Sequence, residues 1–186
     1  MSETSTSTNL VDAIVLDHRH LEQSFSEYEQ DGLAAEARRN LVAHIITELV
    51  RHSVAEEQHM YPAARSVLDD GDEIADHEIE EHAEAERVMK DLEGRQPDDP
   101  RFDELARQLI DEVRHHVSDE EQDLLPRLQQ HCSAEQLDEL GRKVLLAKQS
   151  APTRPHPSAP DTPPANRVLD AGAGLVDRVR DVLNGG

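Results

Sequence analysis

A duplicated pattern constrains this chain more than any other feature. The sequence around His18, His52-Ser-Val-Ala-Glu56, His82 and His116-Val-Ser-Asp-Glu120 superimposes on itself, ungapped, at a shift of 64 residues. His18 falls on His82, His52 on His116, Glu56 on Glu120 and Pro62 on Pro126. The lone histidine stands 34 residues before the paired motif in both copies. Apolar positions keep the same register, with Leu41 on Leu105, Ile45 on Leu109 and Leu49 on Val113. A repeated helix pair with short connections is expected to form an all-α, up-down-up-down antiparallel four-helix bundle with a pseudo-twofold axis.

The hydrophobic period supports helices throughout. Leu10, Ile14, His18, Leu21, Phe25 and Tyr28 advance in steps of four and three, which keeps them on one face of a helix over about residues 10–30. The same steps predict a second helix over 34–68 (Leu41, Ile45, Leu49, His52, Glu56) and a third over 72–94 (Ile74, Glu78, His82, Ala85, Met89, Leu92). A fourth follows over 101–131 (Phe102, Leu105, Leu109, Val113, His116, Glu120, Leu124). Gly32, Gly71 and the Gly94–Pro100 stretch punctuate them. Pro62 and Pro126 should kink or end their helices, with a displaced turn beyond. Ser133 caps a shorter helix reaching Lys148.

Outside residues 10–148 the composition changes. Residues 1–9 read as disordered, and residues 149–166 hold six of the ten prolines and read as an extended linker. Residues 167–186 read as an amphipathic segment, with Val168, Gly172, Leu175, Val179 and Val182 in step, that docks on the bundle or frays, with binding to a protein partner as the alternative. Its polar face carries no strong positive excess, which argues against a membrane-surface helix.

Charge and composition remove several function classes. The formal net charge of -21 repels phosphate backbones and anionic lipids, and four aromatic residues provide no stacking platform for bases. A single cysteine excludes an internal disulfide framework and Cys-rich zinc or iron–sulfur sites. Neither a signal peptide nor a membrane span is recognisable, so the expected location is cytoplasmic and the expected partners include neither nucleic acid nor membrane.

Polar residues placed on apolar stripes need a reason. Residues four apart on a helix share a face, so His52 with Glu56, and His116 with Glu120, point into the bundle together. His18 and His82 enter from the other two helices. Two unpaired buried carboxylates would each cost several kcal/mol or take up protons, and a pair of cations removes that cost. Imidazole with carboxylate suits iron, with manganese or zinc as alternatives. The expected ligands are His18, His52, Glu56, His82, His116 and Glu120, with Glu78 as an additional candidate. His20, His44, His59, His77, His115, His131 and His156 lie off the stripes or in the tail and read as solvated. Glu57 and Glu121, one step beyond the motif glutamates, are expected to point into solvent as well.

Over about residues 10–130, this pattern resembles the hemerythrin family of HHE cation-binding proteins, in particular the bacterial group with H-HxxxE-H-HxxxE. The resemblance implies two iron ions, oxo- or hydroxo-bridged, held by the six residues above. In the oxygen-carrying members a fifth histidine stands one turn before the third-helix ligand. Here that position is Glu78, and its repeat counterpart is Ile14. Fewer imidazoles leave coordination sites open, or Glu78 fills one. Open sites let peroxide or dioxygen reach both irons, which argues against simple oxygen carriage. The expected function is therefore reaction with oxygen species, foremost the catalase-like breakdown of hydrogen peroxide in oxidative stress. The alternatives are a module that binds dioxygen or nitric oxide reversibly, or senses iron or redox state, without turnover, and a structural protein holding zinc or nothing.

Overall fold

The computed structural model describes residues 9–155; the expected amphipathic segment over 167–186 lies outside them. Helix α1 spans Leu10–Tyr28, α2 Ala35–Ala55, α3 Tyr61–Val67, α4 Gly71–Glu93, α5 Pro100–Asp119, α6 Leu125–His131 and α7 Ala134–Ser150. Local chemistry sets the boundaries. The Asn9 side chain accepts the Asp12 N–H at the start of α1, Asp99 accepts from Arg101 ahead of Pro100, and Ser133 with Gln136 forms a reciprocal capping box on α7. Gly32 takes φ +82° in the connection to α2. At Gly71 a Cβ would run into the backbone of Ala64 and Arg65, so the tight turn from α3 to α4 admits only glycine.

The two prolines act as anticipated, through a specific device. One π-helical turn, Glu56–Met60, joins α2 to α3, and another, Glu120–Leu124, joins α5 to α6. The Tyr61 N–H bonds to the Glu56 carbonyl and the Leu125 N–H to that of Glu120. Pro62 and Pro126 have no N–H to continue an α ladder, and each widened turn takes up the break before the next helix begins. The first residue of each π turn is a motif glutamate.

Side-chain pairings give the topology. Moving along α1 from His18 to Tyr28, the partners on the other side run backwards from Glu121 through Arg114 to Asp103. Similarly, Glu57 meets His82 while Arg39 meets Gln96. Neighbouring helices of the bundle are therefore antiparallel. Helix α7 lies along α1 and α2 and buries Leu137, Val144 and Ala147. Beyond it, residues 151–155 continue along the bundle toward the α4–α5 loop: the Thr47 hydroxyl donates to the Thr153 carbonyl (3.3 Å), and Arg154 donates to Glu93 (3.2 Å). Among the described residues, no helix is long and apolar enough to cross a membrane.

The core is split in two. One apolar cluster gathers Phe25, Leu49, Met89, Phe102 and Val113 at the end of the bundle nearest the α4–α5 loop. The other gathers Leu10, Ile14, Met60, Tyr61, Leu124 and Val144 at the opposite end. The polar residues of the duplicated motif form the layer between them.

Candidate metal centre

Four imidazoles and two carboxylates meet in that layer. Glu56 and Glu120 are wholly inaccessible, and His18, His52, His82 and His116 are all buried. Each carboxylate spans the two halves of the repeat. Glu56 Oε1 lies 3.1 Å from His52 Nε2, and its Oε2 lies 3.4 Å from His82 Nε2. Glu120 Oε2 lies 3.3 Å from His18 Nε2, and its Oε1 lies 3.7 Å from His116 Nε2. The donor atoms form two main groups, each gathered within 4.8 Å: His18, His52, Glu56 and Glu120, and Glu56, His82 and His116. A third group contains Glu78, His116 and Glu120.

The donor chemistry fits bound cations. His18 Nε2, His52 Nε2, Glu56 Oε1 and Glu120 Oε2 are buried, face one another and make no hydrogen bond. Buried polar atoms of that kind are costly unless something else satisfies them. Protonation shows the same conflict. Burial, followed by the charge of Glu120, pushes the Glu56 carboxyl well above its usual range. Burial also acts to raise Glu120, but the charge of His116 and the contact with His18 outweigh it and hold Glu120 low. Burial lowers His52 to about 4. It acts against the charged form of His116 too, but Glu120, Glu78 and Glu81 raise that imidazole to about 10.

A carboxylate stands behind every imidazole. His18 Nδ1 lies 2.9 Å from Glu121, His82 Nδ1 3.0 Å from Glu57, His116 Nδ1 2.9 Å from Glu81 and His52 Nδ1 3.7 Å from Asp17. These four also obey the 64-residue register, Asp17 with Glu81 and Glu57 with Glu121. Holding the proton on Nδ1 leaves Nε2 free to ligate and fixes the plane of the ring. The expectation that Glu57 and Glu121 are solvated is therefore wrong. One residue step turns a side chain by about 100°, which in a bundle directs it to the flank shared with the neighbouring helix instead of to water. The off-stripe histidines His20, His44, His77, His115 and His131 are exposed and His59 is half-buried; His156 lies outside the described residues.

Two residues break the symmetry on the inner side. Glu78, at the counterpart of Ile14, is buried with its Oε2 2.9 Å from His116 Nδ1. Tyr61, at the counterpart of Leu125, points its hydroxyl at the centre, 3.0 Å from Glu120 Oε1, 3.2 Å from His82 Nε2 and 3.4 Å from Glu56 Oε2. Sequence reasoning passed over Tyr61. The available signal was a polar ring on an apolar stripe, where the other copy keeps leucine.

A helical bundle whose buried middle layer is made of four imidazoles with two carboxylates set between them defines a metal-binding protein. The family model for the hemerythrin HHE cation binding domain matches residues 9–128, and the chain belongs to that family. It is 29% identical over 177 residues to a hemerythrin-like protein of Schizosaccharomyces pombe, covering 95% of this chain and 87% of that one. It is also 30% identical over 142 residues to a DNA nickase of Nostoc sp., covering 75% of this chain and only 39% of the nickase. The crystal structure of a hemerythrin HHE cation binding domain-containing protein from Mycobacterium kansasii shares the fold. Its TM-score is 0.65 at 19% identity, over 76% of this chain and 85% of that one.

Proposed function

We propose that this protein is a non-haem di-iron protein that breaks down hydrogen peroxide, with His18, His52, Glu56, His82, His116 and Glu120 as the ligands. The observation that carries the reading is the placement of Glu56 and Glu120, each with one oxygen toward either histidine pair. Two divalent ions would bring four positive charges against the Glu56 and Glu120 carboxylates, and iron would supply the change of oxidation state that peroxide disproportionation requires.

The chain's own residues set the conditions for that chemistry. The apolar clusters above and below exclude bulk water and strengthen the electrostatics between them. Tyr61 holds an O–H within reach of both bridging carboxylates, where it can hand over or take back a proton. Glu78 supports His116 beside Glu81 and supplies one further carboxylate to the second half. The cutting activity of the nickase relative is that protein's own, and a net charge of -21 disfavours approach to a DNA backbone.

Iron-loaded protein is expected to evolve dioxygen from hydrogen peroxide, and Glu56→Ala should lose this activity together with bound iron. No dioxygen from fully loaded protein would refute the reading. A stable dioxygen or nitric oxide adduct that reverses under vacuum, without turnover, would select a binding module instead.

A further inference from the structure

A cavity of about 210 Å³ opens between α4 and α5 and ends on His52, His82 and His116. Its inner wall is apolar, made by Leu49, Ala85, Met89 and Val113, and its outer part carries Glu81, Glu84 and Glu112 with Ser53 and the exposed His115. The duplicated sequence provides an internal control, because the register places the corresponding groove on the other side, between α1 and α2. There the register places Leu21 where the second copy has Ala85, and Phe25 where it has Met89. Leu21 and Phe25 are both buried. Helix α7 also lies across that groove, with Lys148 2.6 Å from Asp17 and 3.9 Å from Glu48, the counterparts of Glu81 and Glu112. One side of the bundle is thus filled and covered. The other has lost three side-chain carbons at Ala85 and an aromatic ring at Met89, and among the described residues no helix lies over it.

The size and lining of this cavity exceed what hydrogen peroxide needs. Water takes about 30 Å³ in the liquid, and an apolar cavity of about 150 Å³ accommodates a benzene-sized ligand. Acidic groups at the mouth, on a chain of net charge -21, turn away carboxylates and phosphates. What fits is a neutral molecule with an apolar body and a small polar head directed at the imidazoles.

We infer that the α4–α5 cavity binds an organic hydroperoxide, its hydrocarbon body against Leu49, Ala85, Met89 and Val113 and its peroxide head at His52, His82 and His116. This rests on the peroxide reading above, which also supplies the electrons. The O–O bond of ROOH breaks and, with two protons and two electrons, gives ROH and water. One hydrogen peroxide molecule gives up those two electrons and two protons and leaves as dioxygen.

Binding can be read without turnover. The full chain, labelled with ¹³C at the methionine methyls and loaded with zinc, is titrated with 2-phenyl-2-propanol, the unreactive alcohol of cumene hydroperoxide. The Met89 methyl should shift saturably at millimolar alcohol, while Met60, buried in the other apolar cluster, stays still. Ala85→Leu, which restores the residue of the first copy, should weaken the alcohol at least tenfold. An unmoved Met89 in the wild-type protein, or a shift that Met60 shares, overturns the proposal whether or not the variant folds. A saturable Met89 shift in a protein whose iron-loaded form leaves hydrogen peroxide untouched keeps the binding site and overturns the hydroperoxide assignment. Peroxide consumption with no Met89 shift overturns the cavity proposal and leaves the di-iron reading standing.

Discussion

Lys148 sets its ammonium group 2.6 Å from Asp17 Oδ1, so that α7 reaches the carboxylate standing behind His52. Helix α7 begins beyond the segment that the family model matches. Burial alone would raise the Asp17 carboxyl, and it is His52 and Lys148 that hold it below the ordinary range. The counterpart Glu81 has the exposed His77 imidazole at 3.6 Å in the place of a lysine. Removing the charge with Lys148→Met leaves a mostly buried carboxylate short of its cation. The expected cost is about 1–3 kcal/mol in urea unfolding of the metal-free protein. Because the two residues share this contact, beside those of Lys148 with Glu48 and of Asp17 with His52, Asp17→Asn combined with Lys148→Met should cost less than the sum of the two alone. Strict additivity would show that the contact contributes nothing.

Metal and protons compete for the same atoms. In the metal-free centre His116 keeps its proton up to about pH 10, and Glu56 also holds a proton above its usual range. Metal uptake must displace both, so loading at neutral pH should release protons, and affinity should fall as pH falls. Calorimetry in buffers of different ionisation enthalpy measures the number released. The folded-state pKa of His116 is raised from 6.5, so the stability it gives the metal-free protein is fully present below about pH 6.5 and is lost as pH rises through about 10. Metal-loaded protein should lack that loss. An unchanged pH profile after loading would refute the assignment of His116 as a ligand.

Histidines inside and outside the layer should behave differently. His82→Ala removes one imidazole of the second half and strips a partner from Glu57 and from Tyr61. Metal content should fall by about one ion per chain, and with it the stabilisation that metal confers on the folded state. His131 is exposed and touches only the Arg127 carbonyl of its own helix, so His131→Ala should stay within about 0.5 kcal/mol of wild type. Metal analysis with thermal melts separates the two; equal effects would refute the assignment.

The inner layer was legible because burial of polar residues leaves a periodic trace. His18, Glu78, His82 and Glu120 sit in step with leucines, and only an inward-facing site explains that. The carboxylates behind the imidazoles were not legible. Glu57 contacts His82 on another helix, and Asp17 and Lys148 lie on α1 and α7. Their meaning depends on which helix packs on which flank, and a helical period does not carry that. The π turns hid for a related reason: a proline announces a break, but whether the chain kinks or widens is decided by what the next turn must pack against. The uneven grooves were written in the register all along, as Leu21 against Ala85, but only the packing of α7 shows which side stays open.

Tyr61 is where the second half departs from an apolar counterpart. In the metal-free centre burial and the neighbouring charges of Glu120 and Glu56 hold its hydroxyl proton well above the ordinary tyrosine range, and cations on those two carboxylates would ease its release. It is fully buried and lies within 3.4 Å of the Glu56 and Glu120 carboxylates and of His82. Tyr61→Phe keeps the ring and its packing and removes only the hydroxyl. The variant should still bind metal, because the six proposed ligands are intact. It should consume hydrogen peroxide more slowly, on the order of 10²-fold if the hydroxyl moves protons during turnover. Its visible spectrum when iron-loaded should also shift, since a hydrogen bond to the Glu56 and Glu120 carboxylates has gone. Metal content, stopped-flow peroxide consumption and the spectrum form one test. Full activity with an unchanged spectrum would reduce Tyr61 to a packing residue, whereas loss of metal would make it part of the ligand scaffold.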